Sequence, residues 1–305
     1  TCLFNTSCSD AFLAAWQAKH GSIPSVAKEE EIFISVDETL IPAFAREQFA
    51  PNKHWEEVID ATSIRGIIHS HSNWSDGSDT IEAMAKAAIE QGLEYLVISD
   101  HSKSAFYANG LSAERIRAQH QLIDELNKKY PSFRIFKSIE ADILNDGALD
   151  YSDDILASFD LVIASVHSNL KMPQEKAMVR LMRAIENKYT TILGHMTGRL
   201  LLSRKGYPID HQAIIDACVA NHVAIEINAH PRRLDLDWRW IAYAMERGAM
   251  LSINPDAHAA EGFADVRYGV LAAQKGALTA EKNLSSFSRS AFEQYLKEAK
   301  AAKGI

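Results

Sequence analysis

Arg65-Gly-Ile-Ile-His-Ser-His71, followed after Ser72 by Asn73-Trp-Ser-Asp-Gly77, is the stretch on which the fold turns. The apolar run Arg65–Ser70 predicts a short, buried strand. Two histidines close it at i and i+2, positions that share one face of a strand and can grip one cation together. Five residues on, Asp76 adds a carboxylate inside a Ser-Asp-Gly turn.

Outward from here the pattern recurs. Further β-type runs fall at 95–99, 134–139, 161–166, 191–194, 223–227 and 250–253, most of them about thirty residues apart, the size of a βαβ unit. Amphipathic helices separate them. Asp79 is the expected N-cap of the first, with Glu82 three residues on and Gly92 as its stop. Ser112, Asp210 and Asp237 open others, and Pro173 stands in the first turn of one more. Seven such repeats imply an α/β fold, a distorted (β/α)7 barrel of the TIM type, rather than an open doubly wound sheet. No strand is followed by a Gly-rich phosphate loop of the GxGxxG or Walker type.

Catalytic groups of a parallel barrel gather where strands run out into loops. Nearly every strand here ends in a metal-binding residue type: His69 and His71, then Asp100-His101, Glu140, His167, His195, and finally Asp256-Ala-His258. One histidine at a strand end is usually structural. Six of the chain's 12 at the same end are not, because their desolvation at one pole needs compensation. Imidazole with carboxylate and no thiolate suits Zn²⁺, Mn²⁺ or Fe²⁺ better than Mg²⁺ or Ca²⁺. Nine ligands exceed the needs of one ion and imply two or three.

Composition narrows the setting. With 47% apolar and 24% charged residues the chain has the balance of a globular protein, and no apolar run approaches the ~20 residues of a membrane span. Cys2, Cys8 and Cys218 form no CxxC pair and read as free thiols, with Cys218 packed in a core; without a signal sequence, the expected localisation is cytoplasmic. A net charge of −8 gives the chain a weak non-specific grip on nucleic acid. A first residue other than Met is consistent with a longer natural protein.

Residues 1–64 carry no catalytic constellation and read as an appendage to the barrel of residues 65–305. It has a short helix over Ala11–Lys19, a charge cluster at Glu29–Glu31 and an acidic approach over 52–60. His20, His54, His120, His211 and His222 lie in this appendage or on expected helices, as surface or structural residues.

The ordered set of segments resembles the polymerase and histidinol phosphatase (PHP) family. Besides the two already quoted, it comprises Ile98-Ser-Asp-His-Ser102, Ile139-Glu-Ala-Asp-Ile-Leu144, Ala164-Ser-Val-His-Ser168, Gly194-His-Met-Thr-Gly-Arg-Leu200, Glu226-Ile-Asn-Ala229 and Ser252-Ile-Asn-Pro-Asp-Ala-His258. The likeness covers about three quarters of the chain and is strongest to the PHP domain that ends bacterial family X DNA polymerases. Leu3-Phe-Asn-Thr-Ser-Cys-Ser-Asp10 resembles a degraded form of the FTGS stretch of that polymerase domain, with Asn5, Thr6 and Asp10 as departures. Glu30–Pro42 resembles the domain's tail. The palm carboxylates are not in this chain, so a polymerase domain in the full-length protein is an expected partner, not an assigned activity.

The resemblance implies a trinuclear site. His69, His71, Glu140 and Asp256 would hold one metal, Glu140 would bridge to a second bound by His167 and His195, and Asp76, His101 and His258 would hold the third. Glu140, His101 and Asp256 are the expected catalytic residues. The implied reaction is phosphate-ester hydrolysis by metal-activated hydroxide, at a DNA 3′ end, as a 3′–5′ exonuclease or 3′-phosphodiesterase preferring Mn²⁺. Arg199, Arg204 and Lys205, with Arg232, Arg233 and His230, are candidate substrate contacts. The rivals are a phosphomonoesterase of the histidinol-phosphate phosphatase type, a non-catalytic module of a polymerase, and a barrel amidohydrolase, whose ligand pattern fits less well.

Overall fold

The computed structural model describes residues 2–47 and 55–305. The chain divides into two compact units, Thr1–Ile59 and Asp60–Ile305. His54, and the part of the expected acidic approach at Asn52–His54, lie outside the described residues.

Seven strands build the larger unit: β1 (Gly66–Ile67), β2 (Tyr95–Ile98), β3 (Arg134–Asp142), β4 (Leu161–Ser165), β5 (Ile192–Leu193), β6 (Ala224–Asn228) and β7 (Leu251–Asn254). They lie side by side in chain order and every pairing is parallel. All their residues are buried except Arg134 and Lys137 of β3, as expected of strands covered on both faces. The ring closes beyond the strands themselves. Ser70 bridges Ala257, the His71 N–H donates to the Ala257 carbonyl (2.7 Å) and the Ala257 N–H to that of His69 (3.3 Å). This nearly closed barrel of alternating strands and helices is the expected fold. Its seam lies between the two histidine-bearing segments that follow β1 and β7.

Local chemistry sets the helices. Ser112 and Asp210 cap Ala113–Lys129 and His211–Ala220 as their sequences predict. Asp237 caps a 3-10 turn, Trp238–Trp240, which leads into Ile241–Glu246. Thr80, not Asp79, caps Ile81–Glu90; the Asp79 carboxylate instead accepts from the Ala260 N–H (2.8 Å). Pro173 precedes the helix Gln174–Glu186 as its N-cap. The 81–90 helix buries Ile81, Met84, Ala85 and Ala88 against Ile67, Leu96, Ile98 and Ile135. Cys218 is buried, as expected.

The smaller unit has an aromatic core. Phe4, Phe12, Trp16, Ile32 and Phe33, from helices Cys2–Ser7, Asp10–His20 and Glu30–Ile34, are buried together with Ile41. Arg46, 2% exposed, donates to both oxygens of Glu29 (2.8 and 3.1 Å), to the Ile41 carbonyl (2.8 Å) and to Ser7 Oγ (2.7 Å). A guanidinium is tolerated in such a core because its donors are paired. No helix among the described residues is long and apolar enough to cross a membrane.

Candidate metal centre

Each strand, or the turn just after it, delivers at least one ionisable side chain to a single pole: His69, His71 and Asp76 after β1, His101 after β2, Glu140 on β3, His167 after β4, His195 after β5, Glu226 on β6, Asp256 and His258 after β7. Glu140 is the hub and is 1% exposed. One oxygen lies 3.0 Å from His195 Nε2, 3.3 Å from His167 Nε2 and 3.3 Å from His69 Nε2; the other lies 3.1 Å from His101 Nδ1 and 3.7 Å from His71 Nε2. Asp256 Oδ1 approaches His71 Nε2 (3.1 Å) and His69 Nε2 (3.5 Å). Asp76 Oδ2 faces His258 Nε2 (3.4 Å) and His101 Nε2 (3.6 Å).

Three overlapping groups have donor atoms close enough to share an ion: His69, His71 and Asp256; His101, Glu140 and His167; His71, Asp76, His101 and His258. His195 joins through its contact with Glu140. All nine residues expected as ligands therefore converge. The route differs from strand alternation, because β1 stops at Ile67 and His69 has a left-handed backbone (φ 67°). Asp256 is left-handed too (φ 53°). Such conformations cost ~1–3 kcal/mol and concentrate at functional sites. Gly77 is required where the Asp76 turn folds back, since a Cβ there would sit 2.2 Å from the His71 carbonyl oxygen.

A second layer, made of Glu226, Asp142 and Asp100, orients the first. Glu226 accepts from His69 Nδ1 (2.5 Å), from the His195 N–H (2.7 Å) and from Asn254 (2.8 Å). Asp142 holds His167 Nδ1 at 2.5 Å. Asp100 accepts from both the N–H and hydroxyl of Ser72 and of Ser75, and from Gln119, fixing the turn that carries Asp76. Carboxylates of this kind set which ring nitrogen is free to ligate. The available signal was a charged residue inside an apolar run, Ala-Ile-Glu-Ile-Asn for Glu226, which is rarely buried without a partner.

Electrostatics complete a cation-ready site. Burial opposes ionisation of Glu140, yet the imidazoles of His167, His69 and His101 hold its carboxyl well below the ordinary range. Burial likewise opposes ionisation of Asp256, and His69 and His71 hold it low. Burial and neighbouring His101 push His71 down to about 4, leaving a neutral ring. His69 Nε2, His71 Nδ1, His101 Nδ1, His195 Nδ1 and Glu140 Oε2 are buried without a hydrogen bond. Unpaired buried lone pairs are costly, and divalent cations would satisfy this nitrogen-and-oxygen donor set.

The cationic residues around the site divide in two. Arg199 is committed inside the protein, to the carbonyls of Arg233 (2.9 Å) and Leu234 and to Asp237 (2.6 Å). Arg204 is bonded to the Gly198 carbonyl (2.8 Å). Lys205 and Arg232 are exposed, and His230 is half-buried with its Nδ1 accepting from the Arg232 N–H (3.2 Å). Arg233 reaches furthest in, to 3.4 Å from Asp256 Oδ2.

A barrel with this pole is the architecture of a metal-dependent phosphoesterase, and comparison with known proteins gives its family. Residues 68–230 match the PHP domain model, and the chain belongs to the PHP family. It is 42% identical over 280 residues to "DNA polymerase/3'-5' exonuclease PolX" of Bacillus subtilis, a match covering 91% of this chain and 49% of that protein. A probable phosphatase of Caldanaerobacter subterraneus subsp. tengcongensis is 29% identical over 171 residues, 52% of this chain and 60% of that one. The chain thus spans about half the length of its Bacillus relative. The histidinol phosphate phosphatase of Lactococcus lactis, solved with zinc, L-histidinol and phosphate, shares the fold, with TM-score 0.52 and 17% identity over 71% of this chain and 97% of that one.

Proposed function

We propose that this phosphoesterase processes DNA 3′ ends, as a 3′–5′ exonuclease or 3′-phosphodiesterase. His69, His71, Glu140 and Asp256 would hold one divalent ion, Glu140, His167 and His195 a second, and Asp76, His101 and His258 a third. The observation that carries the reading is the convergence of all nine donors in a chain 42% identical to a protein named as a DNA polymerase and 3′–5′ exonuclease. That match is longer than the barrel unit, so it extends into the smaller unit, which we read as the tail of a polymerase domain. Free Cys2, Cys8 and Cys218 agree with a cytoplasmic setting.

Bound divalent ions, with Mn²⁺, Zn²⁺ or Fe²⁺ suiting the donors, would supply Lewis acidity and acidify a water. The chain's own groups do the rest. Glu140 stays ionised at the hub, Glu226 and Asp142 fix the ring orientations of His69 and His167, and Arg233 stands where a phosphate oxygen next to Asp256 can be met. A second reading, a small-molecule phosphomonoesterase, is favoured by the probable-phosphatase relative. A module without catalysis has no need to keep all nine donors.

The deciding experiment is Mn²⁺-dependent hydrolysis of a 3′-labelled primed DNA beside histidinol phosphate, with the His101→Ala, Glu140→Ala double variant as control. Stepwise 3′ shortening that the variant lacks supports the nuclease. Release of phosphate from histidinol phosphate alone transfers the protein to the second reading, and loss of both activities leaves the non-catalytic one.

A further inference from the structure

Beside the metal centre, the turn after His101 turns two large rings to solvent. Phe106 is 89% exposed and Tyr107 72%, both in the 3-10 turn Phe106–Ala108. A lone exposed ring is ordinary, but two in succession, in the turn that follows His101, are not accounted for by the fold.

The backbone beneath them is fixed. Ala105 and Ala108 are buried, the Ala105 N–H donates to the Ser102 carbonyl (3.0 Å), and the Ala108 and Gly110 N–H groups to that of Ala105 (3.0 and 3.1 Å). Gly110 packs so closely that a Cβ would stand 1.9 Å from the Ser102 carbonyl oxygen. Asn109, left-handed at φ 54°, donates to the carbonyls of Trp74 (3.3 Å) and Ser75 (3.4 Å), in the turn that carries Asp76. Arg115 secures the Asn109 carbonyl (2.8 Å). Small residues go in, the rings go out, and hydrogen bonds hold the backbone between them. Tyr107 lies against the centre itself, its ring centroid 6.2 Å from that of His101.

Proteins that hold single-stranded nucleic acid pair a stacking surface with cations along the backbone path. Here the cations are Arg233, 3.4 Å from Asp256, with exposed Arg232 and Lys205 after β6 and β5. We propose that Phe106 and Tyr107 are a stacking platform for the last bases of a single-stranded DNA 3′ end whose scissile phosphate lies over the metal centre. The proposal rests on the nuclease reading and names what that reading lacks, the group that grips bases.

The test uses the 305-residue chain loaded with Mn²⁺, a single-stranded oligonucleotide and bis(4-nitrophenyl) phosphate. Stacking is worth enough per base that Phe106→Ala should raise KM for the oligonucleotide by roughly 5- to 150-fold. The loss on the oligonucleotide should exceed that on the small diester by about the same factor, and Phe106→Trp should restore most of it. A 2-aminopurine next to the 3′ end should be quenched on binding by the parent chain and by Phe106→Trp, and not by Phe106→Ala. Equal losses on both substrates, or no loss on the oligonucleotide, overturn the platform while leaving the nuclease in place. A shift in oligomeric state on gel filtration of Phe106→Ala overturns it in favour of a self-association patch. If the parent chain cleaves only the small diester, the nuclease reading falls and the platform with it.

Discussion

The two ends of the barrel are built on opposite chemistry. Where the strands begin, Tyr95, Leu161, Ile192 and Ala224 pack with Phe136, Leu284, Phe292 and Leu296. Tyr95 and Phe292 stack at 4.8 Å with their planes 7° apart, and the Tyr95 hydroxyl is satisfied by the Leu284 carbonyl (2.9 Å). Lys300 and Lys303, on or just past the helix Arg289–Ala302, donate to the carbonyls of Phe159 and Thr190, which precede β4 and β5. Where the strands end, imidazoles and carboxylates are buried together, several without hydrogen bonds, and two of them on left-handed backbone. One end is mainly apolar packing and stabilises the fold. The other is held in a costly arrangement that a bound cation would relieve.

Substitutions should separate the two ends. The largest effect is expected from Glu140→Gln, which removes the hub charge and should lower phosphodiester hydrolysis by roughly 10³-fold, as should chelation of the metals. Its secondary structure should stay that of the metal-free parent. An active Glu140→Gln protein would remove Glu140 from the centre. Phe292→Ala at the other end should show the reverse: about 3–5 kcal/mol off the unfolding free energy, with metal content per folded molecule retained. Loss of metal below the unfolding transition would show that the ends are coupled.

Asp142→Asn tests the second layer and should cost about 10- to 100-fold in metal affinity or activity, read by metal titration. If affinity is unchanged, the 2.5 Å contact does not orient His167. The last effect is on protons. Burial alone would lower His167 and His258, but Glu140 and Asp142 raise the first to about 10, and Asp76 and Asp256 raise the second to about 9. Both rings are therefore protonated in the metal-free protein at pH 7.5, and a cation must displace those protons. Metal uptake should release protons into weakly buffered indicator solution, and apparent affinity should climb from pH 7 towards 9. A pH-independent affinity over that range would contradict this.

Much of the candidate site was legible because the candidate ligands are residue types that a buried strand end does not otherwise keep. All nine donors, the seven strands and the caps at Ser112 and Asp210 follow from pattern and spacing. Glu226 and Asp142 carry no role in the pattern, since a charge that orients another side chain leaves no periodic trace, and Asp100, which the pattern offers as a metal-binding type, is taken up by Ser72, Ser75 and Gln119. Arg199 looked like a substrate contact because it follows His195, whereas its donors are taken up by Asp237 and two carbonyls.

Sequence by itself determined the class of fold and pointed to the candidate donors, because side-chain period and residue chemistry are local properties of the chain. Only the tertiary structure decided which donors meet. The seam at Ser70 and Ala257 sets the segment after β1 against the segment after β7, and the left-handed turn at His69 aims its ring at Glu140. Residues nearly two hundred positions apart, such as His71 and Asp256, come to 3.1 Å only when the barrel closes. That closure is a property of all seven strands together and is written in no single one of them.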